Sequence, residues 1–390
     1  MADLKQSVQT ILDNSVKVPT GPAGVVFGAV DKTGRVLVNE AAGVRAVDKA
    51  DPMTPDTVFC LFSTTKILAT VACLQAVEQG KLTLDDPIGP LVPEVSNAKI
   101  IDKDGNLTPP KNKITLRMLL SHTAGFAYTF FDERINEWYK KSGVDEFDGK
   151  LAGVTQPLIF EPGTSWFYGV NIDWAGQALE RATGKTLGQW CKEHIFDPLG
   201  LEDISFSLTP AMRARLAGMH QRTADGKLAP RPHFPYVEHS EFDSGGAGAF
   251  GTIADYLQCL VPLINAGRGA NGAQILRPET VVEMYRDQTG HLPDALEITI
   301  PNPRADLSHE VPIMPGVGKG WGLSFLLTKD PLPTGRSANS AWWAGLANLY
   351  YTVDPHKGVA NFIATQTLPF NDLAILGTWL EAEKAVYDSL

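Results

Sequence analysis

The chain has 390 residues, 44% hydrophobic and 20% charged, with a formal net charge of −10 at pH 7. That length buries a large core and allows two or three lobes, and the composition is that of a folded globular enzyme rather than a disordered chain. The acidic balance argues against nucleic acid and anionic membrane surfaces as partners, and no apolar run approaches the roughly 20 residues that span a bilayer.

Met1-Ala2-Asp3-Leu4-Lys5-Gln6 lacks a basic-then-apolar export pattern. Cys60, Cys73, Cys191 and Cys259 have no metal-like spacing and read as reduced core thiols. The expectation is a cytoplasmic protein without a metal.

In chain order, residues 4–16 predict an amphipathic helix. Two apolar runs, 24–30 and 35–42, flank Asp31-Lys32-Thr33-Gly34 and predict a hairpin. A loop at 51–56 leads through a short apolar segment to Ser63-Thr64-Thr65-Lys66 and an apolar helix ended by Gly80. From residue 88 to about 235 the signals are mainly helix and loop. They include a short helix at 115–121, stopped by His122-Thr123-Ala124-Gly125, and helices at 171–183 and 186–195. Further helices follow at 252–266 and after Arg277-Pro278. Residues 291–318, rich in proline and polar groups, predict a long surface excursion. Three strand-like runs, 321–327, 342–353 and 359–365, precede a terminal helix at 373–387. Strands at both ends with helices between them predict one mixed sheet built from both termini and an inserted lobe. Residues 1–87 and 240–390 form the α/β part, and residues 88–239 the mainly helical part.

Chemistry concentrates at Ser63 and Lys66. Residues three apart share a helix face, and a helix N-terminus offers unpaired N–H groups to a serine placed there. A lysine kept neutral by burial can take the serine's proton and make it a nucleophile. Ser96 and Lys99 repeat the spacing with no apolar helix behind them. Tyr168, in Trp166-Phe167-Tyr168-Gly169-Val170-Asn171, sits ahead of a helix where its phenol can relay a proton. In Trp342-Trp343-Ala344-Gly345-Leu346 a small-residue pair begins a strand, and an N–H there can bind an oxyanion. Gly-x-Ser-x-Gly, His-Glu-x-x-His and the phosphate-loop pattern are absent from the sequence. Gly246-Ala247-Gly248-Ala249-Phe250-Gly251 matches a dinucleotide fingerprint in form only, without its preceding strand or following acidic residue, and reads as a tight turn. His122 reads as a structural hydrogen-bonding residue rather than a base.

The ordered set Ser63-Thr64-Thr65-Lys66, Leu119-Leu120-Ser121-His122-Thr123-Ala124-Gly125, Tyr168 and Trp343-Ala344-Gly345 resembles the serine β-lactamase-like superfamily. It is most similar to the esterase branch related to class C β-lactamases, the family VIII carboxylesterases. Tyr168-Gly169-Val170-Asn171-Ile172-Asp173-Trp174-Ala175-Gly176 is also similar to the fungal acyltransferases that acylate statin-type polyketides. The resemblance implies a β-lactamase/transpeptidase-like α/β (α+β) fold, with a central antiparallel sheet flanked by helices. It implies Ser63 as nucleophile, Lys66 as its base partner and Tyr168 as a sharer in proton transfer. The N–H groups of Ser63 and Leu346 would form the oxyanion hole, with Tyr128, Trp343, Ala344 and Gly345 lining the substrate cleft. The chemistry implied is acylation of Ser63 by a small carboxylic ester and transfer of the acyl group to water or an alcohol, without a cofactor. A catalytically dead binding protein is the reading from another class.

Two positions depart from the β-lactamase pattern. Val170 stands where Tyr-x-Asn has its asparagine, and Trp343 where Lys-Thr-Gly has its lysine. The missing cation moves the expectation from β-lactams and cell-wall peptides to neutral esters. Trp166, Phe167, Trp342 and Trp343 would suit an apolar acyl pocket.

Overall fold

The two ends of the chain meet in one sheet. A computed structural model describes residues 2–232, 240–292 and 294–390. The strands of its main sheet are β1 (Gly24–Asp31), β2 (Val36–Gly43), β3 (Lys319–Trp321), β4 (Leu326–Thr328), β5 (Ser340–Gly345), β6 (Leu349–Asp354) and β7 (Val359–Ala364). They run in the order β3-β4-β5-β6-β7-β1-β2. Every neighbouring pair is antiparallel, so the sheet is antiparallel rather than mixed. The N-terminal hairpin joins the C-terminal strands through β1, where Val26 faces Ala364.

Around this sheet lie α1 (Ala2–Ser15), α2 (Thr65–Glu78), α3 (Asn171–Thr183), α4 (Ile253–Ile264) and α5 (Leu373–Asp388). The alternation of side chains along a strand sends Val25, Phe27 and Ala29 of β1 into one core with Leu4, Val8, Trp379 and Val386 of α1 and α5. Val26 and Val30 enter the opposite core, which holds α2, α3 and α4. A Cβ at Gly28 would come within 2.8 Å of Leu257 and 2.9 Å of Ile253, so that glycine lets α4 lie flat on the sheet. Helix α2 is buried from Thr65 to Ala76, on all its faces, and packs against α3. A helix apolar on all sides belongs at the centre of a fold.

Several expectations are corrected. The runs at 321–327 and 342–353 each divide into two strands, β3 with β4 and β5 with β6. The turns between them are themselves buried at Leu323, Phe325, Leu346 and Ala347, so hydrophobicity shows no break. Trp343-Ala344-Gly345 consequently ends β5 instead of beginning a strand. The helix expected at 186–195 continues through a wide turn, Lys192–Phe196, into Asp197–Leu199 and stops at Gly200, whose φ is +74°. Pro198 is tolerated because the wide turn has already interrupted the regular hydrogen-bond ladder. Residues 291–318 are more than a surface excursion. They carry a short ladder, Thr299–Ile300 with Val311–Pro312, and bury Ile300, Leu307 and Ile313. The expected end of the helical lobe, at 239, falls in 233–239, outside the described residues. Among the described residues no helix is long and apolar enough to cross a membrane.

Candidate active site

Ser63 sits in a single tight helical turn, Phe62–Thr64, that feeds directly into α2. From Thr57 to Ala76 every residue is buried except Ser63, which is half-buried and opens toward a cleft. Phe62 holds φ at +45°, a left-handed conformation rare for a bulky residue. Its surroundings enforce that strain. The Tyr256 hydroxyl donates to the Thr64 carbonyl at 2.8 Å, and the Ala249 N–H to Thr65 Oγ1 at 3.1 Å. Gln366 makes paired bonds to the Cys60 N–H and C=O at 3.2 and 3.0 Å. Strain of this kind persists where the scaffold over-determines it, commonly at reactive positions.

One turn on, Lys66 is fully buried. Its Nζ lies 3.1 Å from Ser63 Oγ, 2.9 Å from the Tyr128 hydroxyl and 2.9 Å from the Gly246 carbonyl. It also stands over the Tyr168 ring, 4.6 Å from the centroid. Burial drives the amine down to about 7, against an opposing pull from Asp173. A large part of the population is therefore free base at neutral pH. A neutral amine has two N–H groups and one lone pair. The Gly246 carbonyl can only accept, so one N–H goes there, and the lone pair is available to the Ser63 proton.

Tyr168 completes the cluster. Its hydroxyl bonds Ser63 and accepts the Trp343 indole N–H at 2.8 Å. Burial raises this phenol well above its ordinary value, while its two hydrogen bonds pull the other way, so it stays protonated at neutral pH. Trp343, Ala344, Gly345 and Leu346 bring the end of β5 along the same cleft as Ser63. A Cβ at Gly345 would lie 2.8 Å from the Leu61 carbonyl, so the absence of a side chain lets the strand end press against the turn that carries Ser63.

Other placements differ from the sequence reading. Tyr128 reaches behind Ser63 to Lys66 instead of lining the cleft, and burial raises its phenol strongly. Of the four aromatics assigned to an acyl pocket, only Trp343 faces the cleft. Trp166 packs within the core against Trp321, and Phe167 packs there as well. Trp342 projects to the other side of the sheet beside Trp379 and Arg336. The apolar wall is instead built by Phe130, Phe131, Ile300, Val311 and Phe370. These stand at scattered positions in loops and short strands, and no local pattern links them to Ser63. His122 is buried, faces Asn171 at 2.9 Å and is held well below its ordinary value by burial and by Lys66. It packs on the Tyr168 ring as a neutral support. Among the described residues no group of His, Cys, Asp or Glu is arranged to hold a metal ion.

Comparison with known proteins gives this geometry a context. A family model described as Beta-lactamase matches residues 20–385. The chain is 30% identical to monacolin J acid methylbutanoyltransferase of Aspergillus terreus, over 99% of this chain and 96% of that one. It is 31% identical to lovastatin esterase of Penicillium rubens, over 88% of this chain and 89% of that one. Among solved structures, unliganded simvastatin synthase of Aspergillus terreus matches with a TM-score of 0.85 and 29% identity, covering 100% of this chain and 99% of the other.

Proposed function

This chain belongs to the β-lactamase family, and we propose that within it the protein is a serine enzyme cleaving carboxylic esters through an acyl-Ser63 intermediate. The observation that carries the reading is a fully buried lysine amine 3.1 Å from a serine hydroxyl that opens onto an apolar cleft. Lys66 takes the Ser63 proton as Oγ attacks the ester carbonyl. The N–H groups of Ser63 and Leu346 receive the oxyanion, worth about 3–4 kcal/mol per donor. As the tetrahedral intermediate collapses, the C–O bond to the leaving alcohol breaks and Tyr168 with Lys66 returns the proton to it. Water then repeats the sequence in reverse and frees the acid. Trp343 puts an uncharged indole where a cation would hold a carboxylate, which favours neutral esters.

Transfer of the acyl group to an alcohol is the second reading. The wall of Phe130, Phe131, Ile300, Val311 and Phe370 favours it, because a dry cleft slows hydrolysis of the acyl-enzyme. The transferase named among the relatives favours it too. Small-molecule donors and acceptors fit both. The buried cysteines suit a reducing cytoplasm.

Release of p-nitrophenol from its butyrate ester tests the proposal. Ser63→Ala should lower kcat by at least ~10³-fold, the scale on which removing a nucleophile acts. Equal release by wild type and mutant would refute it. With millimolar butanol present, butyl butyrate as the main product would place the enzyme with the transferases, and butyrate with the esterases.

A further inference from the structure

Lys66 is held from behind as well as in front. The carbonyl that receives its N–H belongs to Gly246, in the tight turn that follows Asp243. One side chain fixes that turn. Asp173, in the first turn of α3, accepts the Ser244 hydroxyl at 2.5 Å and the Gly246 N–H at 3.0 Å through the same oxygen. The fit leaves no slack: a Cβ at Gly246 would lie 2.3 Å from Asp173 Oδ2, and one at Gly245 2.5 Å from the Ile172 carbonyl. Asp173 is 3% exposed, so this carboxylate has been taken out of water to do it. The β-lactamase pattern has an asparagine two residues after its tyrosine, where this chain has Val170. Asn171 is no substitute, because its amide is turned to His122.

We propose that Asp173 is a positioning residue for the reaction, aiming Lys66 Nζ at Ser63 Oγ through the Gly246 carbonyl. The inference rests on the roles given above to Ser63 and Lys66. Its second consequence is electrostatic. A carboxylate near the amine stabilises the ammonium form, in opposition to burial. A neutral residue at 173 removes that attraction, so Lys66 loses its proton at lower pH.

The other titratable groups around this centre can be told apart. Tyr128 and Tyr168 are raised by burial, and His122 is lowered well below its ordinary value. None of the three carries a titration near neutrality, and Asp173 itself is raised by burial but held toward its charged form by Lys66, Ser244 and the Gly246 N–H. Glu146 does titrate near neutrality: burial pushes it up to about 7, it is bonded to Thr129 and feels Arg304, and its charge is felt at Tyr128. A Glu146→Gln control therefore accompanies the test.

The experiment records kcat and kcat/KM for p-nitrophenyl butyrate from pH 5.5 to 9, in the full chain and in Asp173→Asn. The expected result is a plateau kcat lowered about threefold or more, because the asparagine oxygen accepts the same two bonds without the charge that strengthens them. KM should stay within about twofold, and the acid limb of kcat/KM should move to lower pH by about half a unit or more. Glu146→Gln should leave the limb in place. A limb that moves with Glu146, or a fall in kcat with an unshifted limb, overturns the proposal, as does a wild-type profile. If Asp173→Asn does not fold, Ser244→Ala decides. It keeps the charge and loosens the turn, so kcat should fall about threefold or more at unchanged KM, and a wild-type kcat would overturn the proposal. Ser63→Ala is run beside both. Turnover surviving in that variant would sink the acyl-serine reading itself and be recognised as such.

Discussion

Replacing Lys66 with methionine should abolish turnover and remove a pH dependence from the stability of the fold. The folded chain holds the Lys66 amine at about 7, against an ordinary value of 10.5, through burial. Between those values the unfolded chain binds a proton that the folded chain does not, so this residue makes stability rise as pH rises. The penalty is fully present below about pH 7, where the folded state must bury an ammonium, and gone above about 10.5. At ~1.4 kcal/mol per pH unit the gap is on the order of 4 kcal/mol for wild type at pH 7. Methionine fills a similar volume without a charge. It also strands the Gly246 carbonyl and the Tyr128 hydroxyl, at ~1–3 kcal/mol each, but that cost does not depend on pH in this range. Urea unfolding of both proteins between pH 7 and 10.5 isolates the effect, because groups beyond the reach of Lys66 titrate alike in the two and cancel. The stability of Lys66→Met relative to wild type should fall by about 4 kcal/mol across that window. A difference that stays flat with pH would mean that Lys66 keeps an ordinary lysine pKa, and the general-base argument would go with it.

Tyr128→Phe removes the hydroxyl 2.9 Å from Lys66 Nζ and should lower kcat by about ten- to a hundredfold with KM little changed. A change confined to KM would return Tyr128 to a cleft-lining part. Gly345→Ala brings a Cβ to 2.8 Å from the Leu61 carbonyl, so β5 must move off the nucleophile turn. Burst-phase acylation should slow by about tenfold, and urea unfolding should show a loss of ~1–3 kcal/mol, the usual cost of overpacking. Wild-type behaviour in both assays would show that the strand end and the serine are not mechanically joined.

The helices were legible because their ends are written in residue types. Thr115 caps its helix through the Met118 N–H, and Gly184 stops α3 with φ at +72°. The pairing of β1 with β7 was legible only as strands at both ends of the chain, since no local signal gives register. Ser63 and Lys66 were readable because one helical turn joins them. The remaining contacts of Lys66 were not, because Tyr128, Asp173 and Gly246 converge only through tertiary packing. The glycine turn at 246 was read correctly as a turn, but nothing in its sequence says that its carbonyl faces an amine. One misplacement was avoidable. Trp342 and Trp343 are adjacent on a strand and must face opposite sides, so both could never have lined one pocket.

The hydrogen bonds around Ser63 have a direction, and Trp343 sets it. An indole N–H can only donate, so at 2.8 Å it occupies the Tyr168 oxygen as an acceptor. The single Tyr168 proton is not engaged by the indole and stays on the phenol beside Ser63. Ser63 in turn has one proton, and the Lys66 lone pair stands 3.1 Å away to receive it. The Lys66 N–H groups are spent on the Gly246 carbonyl and the Tyr128 hydroxyl. Indole to phenol and serine to amine are therefore two matched donor–acceptor pairs that meet at Ser63. A lysine at 343 would donate to Tyr168 as well, but would add a second cation beside an amine that must be neutral to act. Tryptophan supplies the donor without the charge. The same residue thus orients the phenol, spares the base and leaves the cleft without a cation for an anionic substrate.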